Sequence, residues 1–300
     1  MSVILGIDAG GTLIKYAYLS ADGSMDSSGS VPTPYSSKED FLDVIRGLVT
    51  GAPGEVDGVA MSLPGTIDPK TGYVFQGGSL AYHNGLSLKS WYEQELGVPV
   101  EVENDARCAA TAELREGALK GVQNGIALTF GTGVGCAIVI GGELYRGAHL
   151  FSGEISASVY GDIAAEGRGA LLGSKVGVGH FCQRVCERKG VVPADGKTVF
   201  SWIAAGDRDA VEEFNAYCDV VAVELFNLQL TLDPERVAIG GGVSANPLFL
   251  AGIERALEAF YSRFPVQIPR LDVCRCEWCN DANIKGAYWN FKRMQELRGK

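Results

Sequence analysis

The sequence predicts an α/β protein with two similar halves around a cleft. Its 300 residues are enough for two domains. Three strands followed by alternating helices and strands are predicted near the start of the chain and again from residue 126, a pattern typical of sheets covered by helices. Glycine-rich turns at 8–12, 131–135 and 240–242 each follow a strand-like run.

In the first half, apolar periodicity and turn residues predict five strands and three helices. The strands cover 3–7, 13–19, 28–31, 56–61 and 100–104, and the helices cover 38–49, 88–96 and a segment that begins at 105. The stretch that begins at Val100 organises this half. It forms a short buried strand that ends in Asn104 and Asp105 and runs directly into an Ala-rich helix.

The second half repeats this order with longer helices. Its predicted strands cover 126–130, 136–140, 143–146, 236–239 and 271–276, and glycines at 141 and 142 predict a hairpin between the second and third. Its predicted helices cover 169–189, 199–204, 208–232, 247–264 and 282–297.

The chain is acidic and carries no targeting signal. Lys and Arg number 26 and Asp and Glu 36, which gives a net charge of −10. No basic cluster interrupts this acidity, so a nucleic-acid partner is not expected. The N-terminus enters a strand without the regions of a signal peptide, and the apolar runs are too short to cross a bilayer. We therefore expect a cytoplasmic protein without a membrane partner, whose eight cysteines are reduced.

Asp105 has two interpretations. Asn and Asp are favoured at helix N-termini because their side chains accept hydrogen bonds from free backbone N–H groups, so the residue could simply cap the helix. The alternative is a catalytic carboxylate fixed between a strand and a helix, which the glycine turns elsewhere in the chain favour.

Two of the glycine turns are candidate phosphate sites. Successive N–H groups in such a turn form an anion-binding nest, although either turn alone could be a plain hairpin. Neither has the spacing of a Walker or dinucleotide-binding loop. Asp8, next to the first turn, is a candidate for holding hydrated Mg²⁺, because Mg²⁺ prefers oxygen ligands and keeps its waters.

Seven segments, in order, resemble the ROK sugar kinases of the actin/hexokinase superfamily over nearly the whole chain. They lie at 8–15, 63–72, 103–110, 129–135, 147–154, 239–247 and, beginning with Asn280, at 280–287. The resemblance implies an α/β, two-lobed actin/hexokinase-like (ribonuclease H-like) fold. The implied lobes are residues 1–116 plus 281–300 and residues 117–280.

The resemblance implies an ATP- and Mg²⁺-dependent sugar kinase that forms a homodimer, with Asp105 as the general base toward a sugar hydroxyl. The implied sugar-binding residues are Gly65, Asn84, Asn104, Asp105 and Glu154. The implied nucleotide-binding residues are Asp8 (through Mg²⁺ and water), Gly10, Gly11, Thr12, Lys15, Gly131, Thr132, Gly133, Gly241, Gly242 and Asn246. Lys15 could instead be a lysine on the surface of its strand.

The sequence departs from the family in one region. Ala157 stands where members commonly carry a histidine, and no cysteine lies between Cys136 and Cys182, so the family's structural zinc is not expected. Glu166 could replace the family's downstream sugar-binding glutamate or could be a solvated loop residue, and His83 is a further candidate for sugar contact. The three cysteines Cys274, Cys276 and Cys279 could bind a metal or be buried, but a structural zinc site needs four ligands.

These departures most resemble the β-glucoside kinase branch, which implies phosphorylation of the 6-hydroxyl of a hexose or β-glucoside. Alternatives in the same family are a glucokinase, a fructokinase or an N-acetylmannosamine kinase. From another class, a non-catalytic sugar sensor or a ROK regulator without its DNA-binding domain stays open. The predicted strand at Val3 leaves no room for an N-terminal helix-turn-helix, and both Asp8 and Asp105 are present.

Overall fold

The computed structural model describes residues 2–279 and 281–299, and the chain divides into two compact units. The first contains Met1–Glu116, Arg146–Phe151 and Asp281–Lys300, and the second contains Gly117–Tyr145 and Ser152–Asn280. The sequence-based boundaries place 146–151 in the second lobe, whereas the structure groups this segment with the first unit. Asn280, the first residue of the last family-like segment, lies outside the described residues.

Helices and strands alternate as the sequence predicts, with a small added hairpin. Through the first unit they are β1 (Ser2–Ala9), β2 (Leu13–Leu19), β3 (Met25–Pro32), α1 (Lys38–Thr50), β4 (Glu55–Leu63), β5 (Thr66–Ile67), β6 (Val74–Gln76), α2 (Leu88–Leu96), β7 (Val100–Asn104) and α3 (Asp105–Glu116). They continue with β8 (Gly125–Phe130), β9 (Val134–Ile140), β10 (Glu143–Tyr145), α4 (Ile163–Glu166), α5 (Leu172–Val176), α6 (Val178–Lys189), α7 (Gly196–Ala204), α8 (Arg208–Leu232), β11 (Arg236–Gly240), α9 (Pro247–Arg263), β12 (Val273–Arg275) and α10 (Ala282–Arg298).

The first unit has a five-stranded sheet in the order β3-β2-β1-β4-β7. β1 pairs with β2 in the antiparallel sense, while β1, β4 and β7 are parallel. Parallel strands end at the same edge, so residues that follow them lie close together. The register pairs Asp8 with Ser62 and Leu63 with Asn104, which brings the ends of three strands to one edge.

Helices cover both faces of this sheet. Buried side chains of α1 and α2, such as Phe41 and Tyr92, form the core on one face. On the other face α10 packs with α3, and the fit is close because a Cβ at Gly286 would overlap the carbonyl of Cys108. The ring of Phe291 likewise fills the space beside Gly58 on β4. The α10 helix therefore completes the core of the first unit.

The second unit repeats the same strand arrangement, in the order β10-β9-β8-β11-β12. β8 is antiparallel to β9 and parallel to β11, which is parallel to β12. Its larger core is built from this sheet with α6, α7, α8 and α9. The helix predicted over 169–189 is instead interrupted at Gly177, where a Cβ would overlap the carbonyl of Thr132. Among residues 2–279 and 281–299, no helix has the length and apolar character that a membrane span requires.

Candidate active site

The helix-capping role that the sequence suggested for Asp105 is filled by its neighbour Asn104. The Asn104 side chain caps α3, since its Oδ1 accepts a hydrogen bond from the N–H of Arg107 (3.1 Å). Its Nδ2 donates to the Gly65 carbonyl and to Asp105 Oδ1, both at 2.9 Å. The N–H of Ala106 also donates to this Asp105 oxygen (2.8 Å). The half-buried Asp105 carboxylate is thus oriented from two sides at the end of β7.

Asp8 is the last but one residue of β1 and lies at the same edge of the sheet. Its Oδ1 accepts hydrogen bonds from Asn283 Nδ2 (2.9 Å) and from Ser62 Oγ (3.2 Å). Burial raises the pKa of Asp8, while the Asn283 hydrogen bond and the charge of Lys15 act in the opposite direction. Lys15 faces Asp8 across the β1–β2 ladder, so this lysine is at least an electrostatic partner of the carboxylate.

The turn between β1 and β2 is held by its own backbone and by Thr33. The N–H of Gly10 donates to the Leu13 carbonyl (3.0 Å). Thr33 donates through its hydroxyl to the Gly10 carbonyl (2.8 Å) and through its N–H to the Thr12 carbonyl (3.0 Å). Gly11 and the exposed Thr12 therefore form the tip of a fixed turn.

The predicted sugar loop is tightly folded on itself. Gly65 has φ +101°, and a Cβ there would overlap the carbonyl of Gln76, so only glycine fits this position. The exposed Asn84 accepts a hydrogen bond through Oδ1 from the N–H of Gly77 (2.6 Å), which closes the loop.

His83 is a core residue, so the structure does not support the expectation that it contacts a sugar. It is 1% exposed and lies against the rings of Phe41 and Tyr82. Burial lowers its pKa to about 4. Its Nε2 lies 3.3 Å from the hydroxyl of Tyr92.

In the second unit, the corresponding turn follows β8. The N–H of Gly131 donates to the Gly133 carbonyl (2.9 Å), and the Gly131 carbonyl accepts from the N–H of Val178 (2.7 Å). These bonds fix Thr132 at the centre of the turn and tie it to the start of α6.

The loop after β11 contains two glycines in different environments. Gly241 has φ +89°, and a Cβ there would overlap backbone atoms of Phe130, whereas Gly242 has open space around its Cα. Asn246 caps α9, since its Oδ1 accepts a hydrogen bond from the N–H of Leu248 (3.0 Å).

Glu154 is half-buried and precedes a short 3₁₀ helix at Ile155–Ala157. The preceding Gly153 has φ +87° and lies against the Cys136 carbonyl, which anchors this segment on β9. Glu166 fits the solvated alternative. It lies on the surface, pairs with Lys175 (2.7 Å), and has a lowered pKa because of that hydrogen bond.

The three late cysteines form no metal-binding group with other described residues. Within the described part of the chain, no group of three or more His, Cys, Asp and Glu side chains is arranged to hold a metal ion. Cys276 is buried, and the Sγ of Cys279 lies 3.6 Å from the carbonyl oxygen of Cys276.

Sequence reasoning missed the partners of Glu103. This carboxylate is fully buried and accepts hydrogen bonds at Oε2 from Nη2 (2.6 Å) and Nε (3.2 Å) of Arg146. A signal was present, because Glu101 and Glu103 are charged residues in an otherwise buried strand, and such residues need partners. The partner itself is 43 residues further along the chain, where no local pattern identifies it.

Comparison with known proteins gives a consistent family. The sequence model of the ROK family matches residues 4–294. The β-glucoside kinase of Listeria monocytogenes is 28% identical over 296 residues, which cover 96% of this chain and 97% of that protein.

Two solved structures share the fold over almost their full length. A ROK family protein from Streptococcus pneumoniae, in complex with sucrose, is 29% identical with a TM-score of 0.88, covering 98% of this chain and 99% of that one. A ROK family glucokinase from Streptomyces griseus, in complex with glucose and AMPPNP, is 26% identical with a TM-score of 0.82, covering 95% and 97%. The two-domain actin/hexokinase-like architecture predicted from the sequence is thereby confirmed.

Proposed function

The chain belongs to the ROK family, and from this premise we propose that it is a sugar kinase that transfers the γ-phosphoryl group of ATP to the 6-hydroxyl of a hexose or β-glucoside. The observation that carries the proposal is the Asp105 carboxylate. It is held by Asn104 and by the N–H of Ala106 at a sheet edge that also carries Asp8.

The chemistry suits a single positioned carboxylate. Phosphoryl transfer has a loose transition state, so the protein mainly aligns the hydroxyl with the phosphoryl group and accepts one proton. Asp105 would accept that proton from the sugar hydroxyl. Asn104 and Glu154 would bind ring hydroxyls, while Gly65 and Asn84 would keep the sugar loop in shape.

The glycine turns would bind the nucleotide. The N–H groups of Gly11 and Thr12 in the first unit, and of Thr132 and Gly133 in the second, would meet phosphate oxygens. Gly10 and Gly131 instead support their own turns, because their N–H groups donate within them. The glucokinase relative bound to AMPPNP supports ATP as donor.

The loop after β11 would receive the nucleoside. Gly242 offers open space, Gly241 keeps the loop against β8, and Asn246 fixes the start of α9. Lys15, whose charge acts on Asp8, would place a positive charge near the phosphates.

The residues present fit Mg²⁺ but not the family's zinc. Asp8 is a carboxylate held by Asn283 and Ser62, and Mg²⁺ commonly takes one or two carboxylates together with waters and substrate phosphates. When bound, the ion would neutralise charge that develops on the phosphates. The stretch between Cys136 and Cys182 offers no thiolate, and Ala157 offers no imidazole.

A β-glucoside is the preferred acceptor. The Listeria relative is named a β-glucoside kinase, and the pneumococcal relative binds sucrose, a disaccharide. The small side chain of Ala157, where the family commonly has histidine, would leave space for a group attached to the sugar. A glucokinase, fructokinase or N-acetylmannosamine kinase is the alternative within the family, and a homodimer stays a prediction.

The test is a panel of glucose, fructose, N-acetylmannosamine and cellobiose with Mg²⁺-ATP, with ADP release as the readout. We expect sugar-dependent ADP release, highest with cellobiose. Turnover of free hexoses without cellobiose would remove the β-glucoside assignment. Sugar binding by calorimetry without ADP release would favour the sensor alternative over the kinase.

A further inference from the structure

The short segment Arg146–Phe151 is held on the first unit by two buried charged side chains of the catalytic strand and helix. Glu103, the residue before Asn104, accepts two hydrogen bonds from Arg146, at 2.6 and 3.2 Å. Arg107, on the first turn of α3, donates through Nη2 to the carbonyl of Leu150 (2.6 Å). The two contacts grip the two ends of the segment, and we name the four residues the 103/107 clamp.

The two clamp side chains on β7 and α3, Glu103 and Arg107, are deeply buried, so these contacts are fixed. Glu103 is 0% and Arg107 is 3% exposed. Arg107 Nη1 is buried, has no hydrogen-bond partner among the described residues, and lies 4.0 Å from Glu103 Oε1. Glu103 Oε1 also accepts from the N–H of Asn104 (2.8 Å), which links the clamp directly to the residue that orients Asp105.

The gripped segment has a constrained backbone. Leu150 has φ +63°, a conformation that is uncommon for a residue with a side chain and that persists where the surroundings impose it. Its carbonyl is the one that Arg107 binds. Three residues after Phe151 comes Glu154, a predicted sugar-binding residue.

We propose that Glu103, Arg107 and Arg146 are positioning residues for the acceptor sugar. The clamp ties the segment that leads into Glu154 to the strand that carries Asn104, and Glu103 also accepts a hydrogen bond from the N–H of Asn104, so loss of the clamp should disturb residues that bind the sugar. This role rests on the proposed function. It differs from a general stabilising role because it predicts an effect on sugar binding that is separate from ATP binding.

The chain offers a matched control two residues earlier on the same strand. Glu101 is 1% exposed and pairs with Lys89 at 2.6 Å. Its other partners, Gln295 and Arg298, lie on α10. Glu101 therefore has the same burial and the same type of ion pair as Glu103, but its partners lie on α2 and α10 and not in 146–151.

The experiment compares Glu103→Gln, Arg146→Gln and Glu101→Gln by steady-state kinetics with the best acceptor of the panel. We expect the first two to raise the sugar KM on the order of 10-fold or more, because small displacements of positioning groups are costly. The ATP KM should stay within about twofold of that of the unmodified protein, because these variants weaken the binding of the sugar and not of the nucleotide. Glu101→Gln should lower the melting temperature and leave the sugar KM within the same twofold range.

Arg146→Lys is a second variant that tests the role of Arg146 even if Arg146→Gln fails to fold. It keeps the charge but loses the two-pronged hydrogen bond, so we expect a folded protein with a smaller rise in sugar KM. Amide hydrogen exchange should accelerate in 146–151 for the Glu103 and Arg146 variants and not for Glu101→Gln.

Two results overturn the positioning role. One is an unchanged sugar KM in folded Arg146→Gln and Arg146→Lys, and the other is an equal rise in Glu101→Gln. Both leave the kinase assignment intact. If the unmodified protein phosphorylates no sugar, the proposed function fails, and the positioning role falls with it.

Discussion

The two units share a strand order but differ in what stands at the ends of their parallel strands. In the first unit β1 ends beside Asp8 and β7 ends in Asn104 and Asp105. In the second, β8 runs into the turn at 131–133 and β11 into the glycines at 240–242. Both units therefore place a glycine turn after a strand, and the first unit adds the carboxylates of Asp8 and Asp105. The chemistry resides in the residues at the strand ends and not in the topology.

Buried carboxylates sharpen this contrast. In the first unit the half-buried Asp8 and the buried Glu103 lie at the sheet edge. Among the described residues of the second unit, the buried carboxylate is Glu224, in the middle of α8, and it accepts a hydrogen bond from the hydroxyl of Tyr160 (2.6 Å). We expect the first group to affect catalysis and Glu224 to affect stability alone.

The largest expected effect is that of Asp105→Asn. Loss of the proton acceptor should lower turnover by at least ~10²-fold, the scale of a missing acid or base, while sugar binding measured by calorimetry persists. The control is Asp195→Asn, which alters a carboxylate that caps α7 in the second unit and accepts from the N–H of Thr198 (2.9 Å). Equal turnover in both variants would remove the catalytic role of Asp105.

Gly241→Ala should have the next largest effect. A side chain at φ +89° would overlap the backbone of Phe130, so we expect a loss of about 1–3 kcal/mol in the free energy of unfolding and a higher ATP KM. Gly242→Ala is the matched control for stability, because the space around Gly242 is open. Urea denaturation compares the two variants, and equal losses of stability would contradict the assigned packing of Gly241.

Glu224→Gln should have the smallest effect, within about 1 kcal/mol and toward greater stability near neutral pH. Burial raises the pKa of Glu224 in the folded protein. As pH rises from the ordinary glutamate value to that raised pKa, the unfolded chain loses its proton first, so this residue makes the protein less stable across that interval. A glutamine does not titrate, so the variant should lose less stability than the unmodified protein between pH 4 and neutral pH.

Denaturation at several pH values checks this difference, and turnover should stay within about twofold. Tyr160→Phe is the counterpart, since it leaves a buried carboxylate without its donor and should destabilise the protein by about 1–3 kcal/mol. A large loss of turnover in Glu224→Gln would contradict the expectation that Glu224 affects stability alone.

Local patterns predicted most of the elements. The helix over 208–232 was predicted to the residue, because its apolar periodicity is long and a capping aspartate, Asp207, precedes it. The helix predicted over 169–189 failed at Gly177, where contact with Thr132, distant in sequence, overrides the local pattern.

The site was predictable where one segment contains both the side chain and its support. Asn104 and Asp105 are such a case, since a strand end and a helix start adjoin in the sequence. His83 was misjudged because its burial depends on Phe41 of α1 and Tyr92 of α2, which approach it only in the folded first unit. Arg146 was missed for the same reason. Contacts between distant residues leave no local trace, and a single sequence cannot pair them.

The position of α10 has a consequence for biosynthesis. The ribosome makes this helix only after the whole second unit, yet it covers β1, β4 and α3 and supplies the Asn283 hydrogen bond to Asp8. Domains usually fold in the order of their synthesis. Here the second unit can fold while the first unit, still without α10, exposes an apolar face. The hydrogen bond from Asn283 to Asp8 therefore forms last.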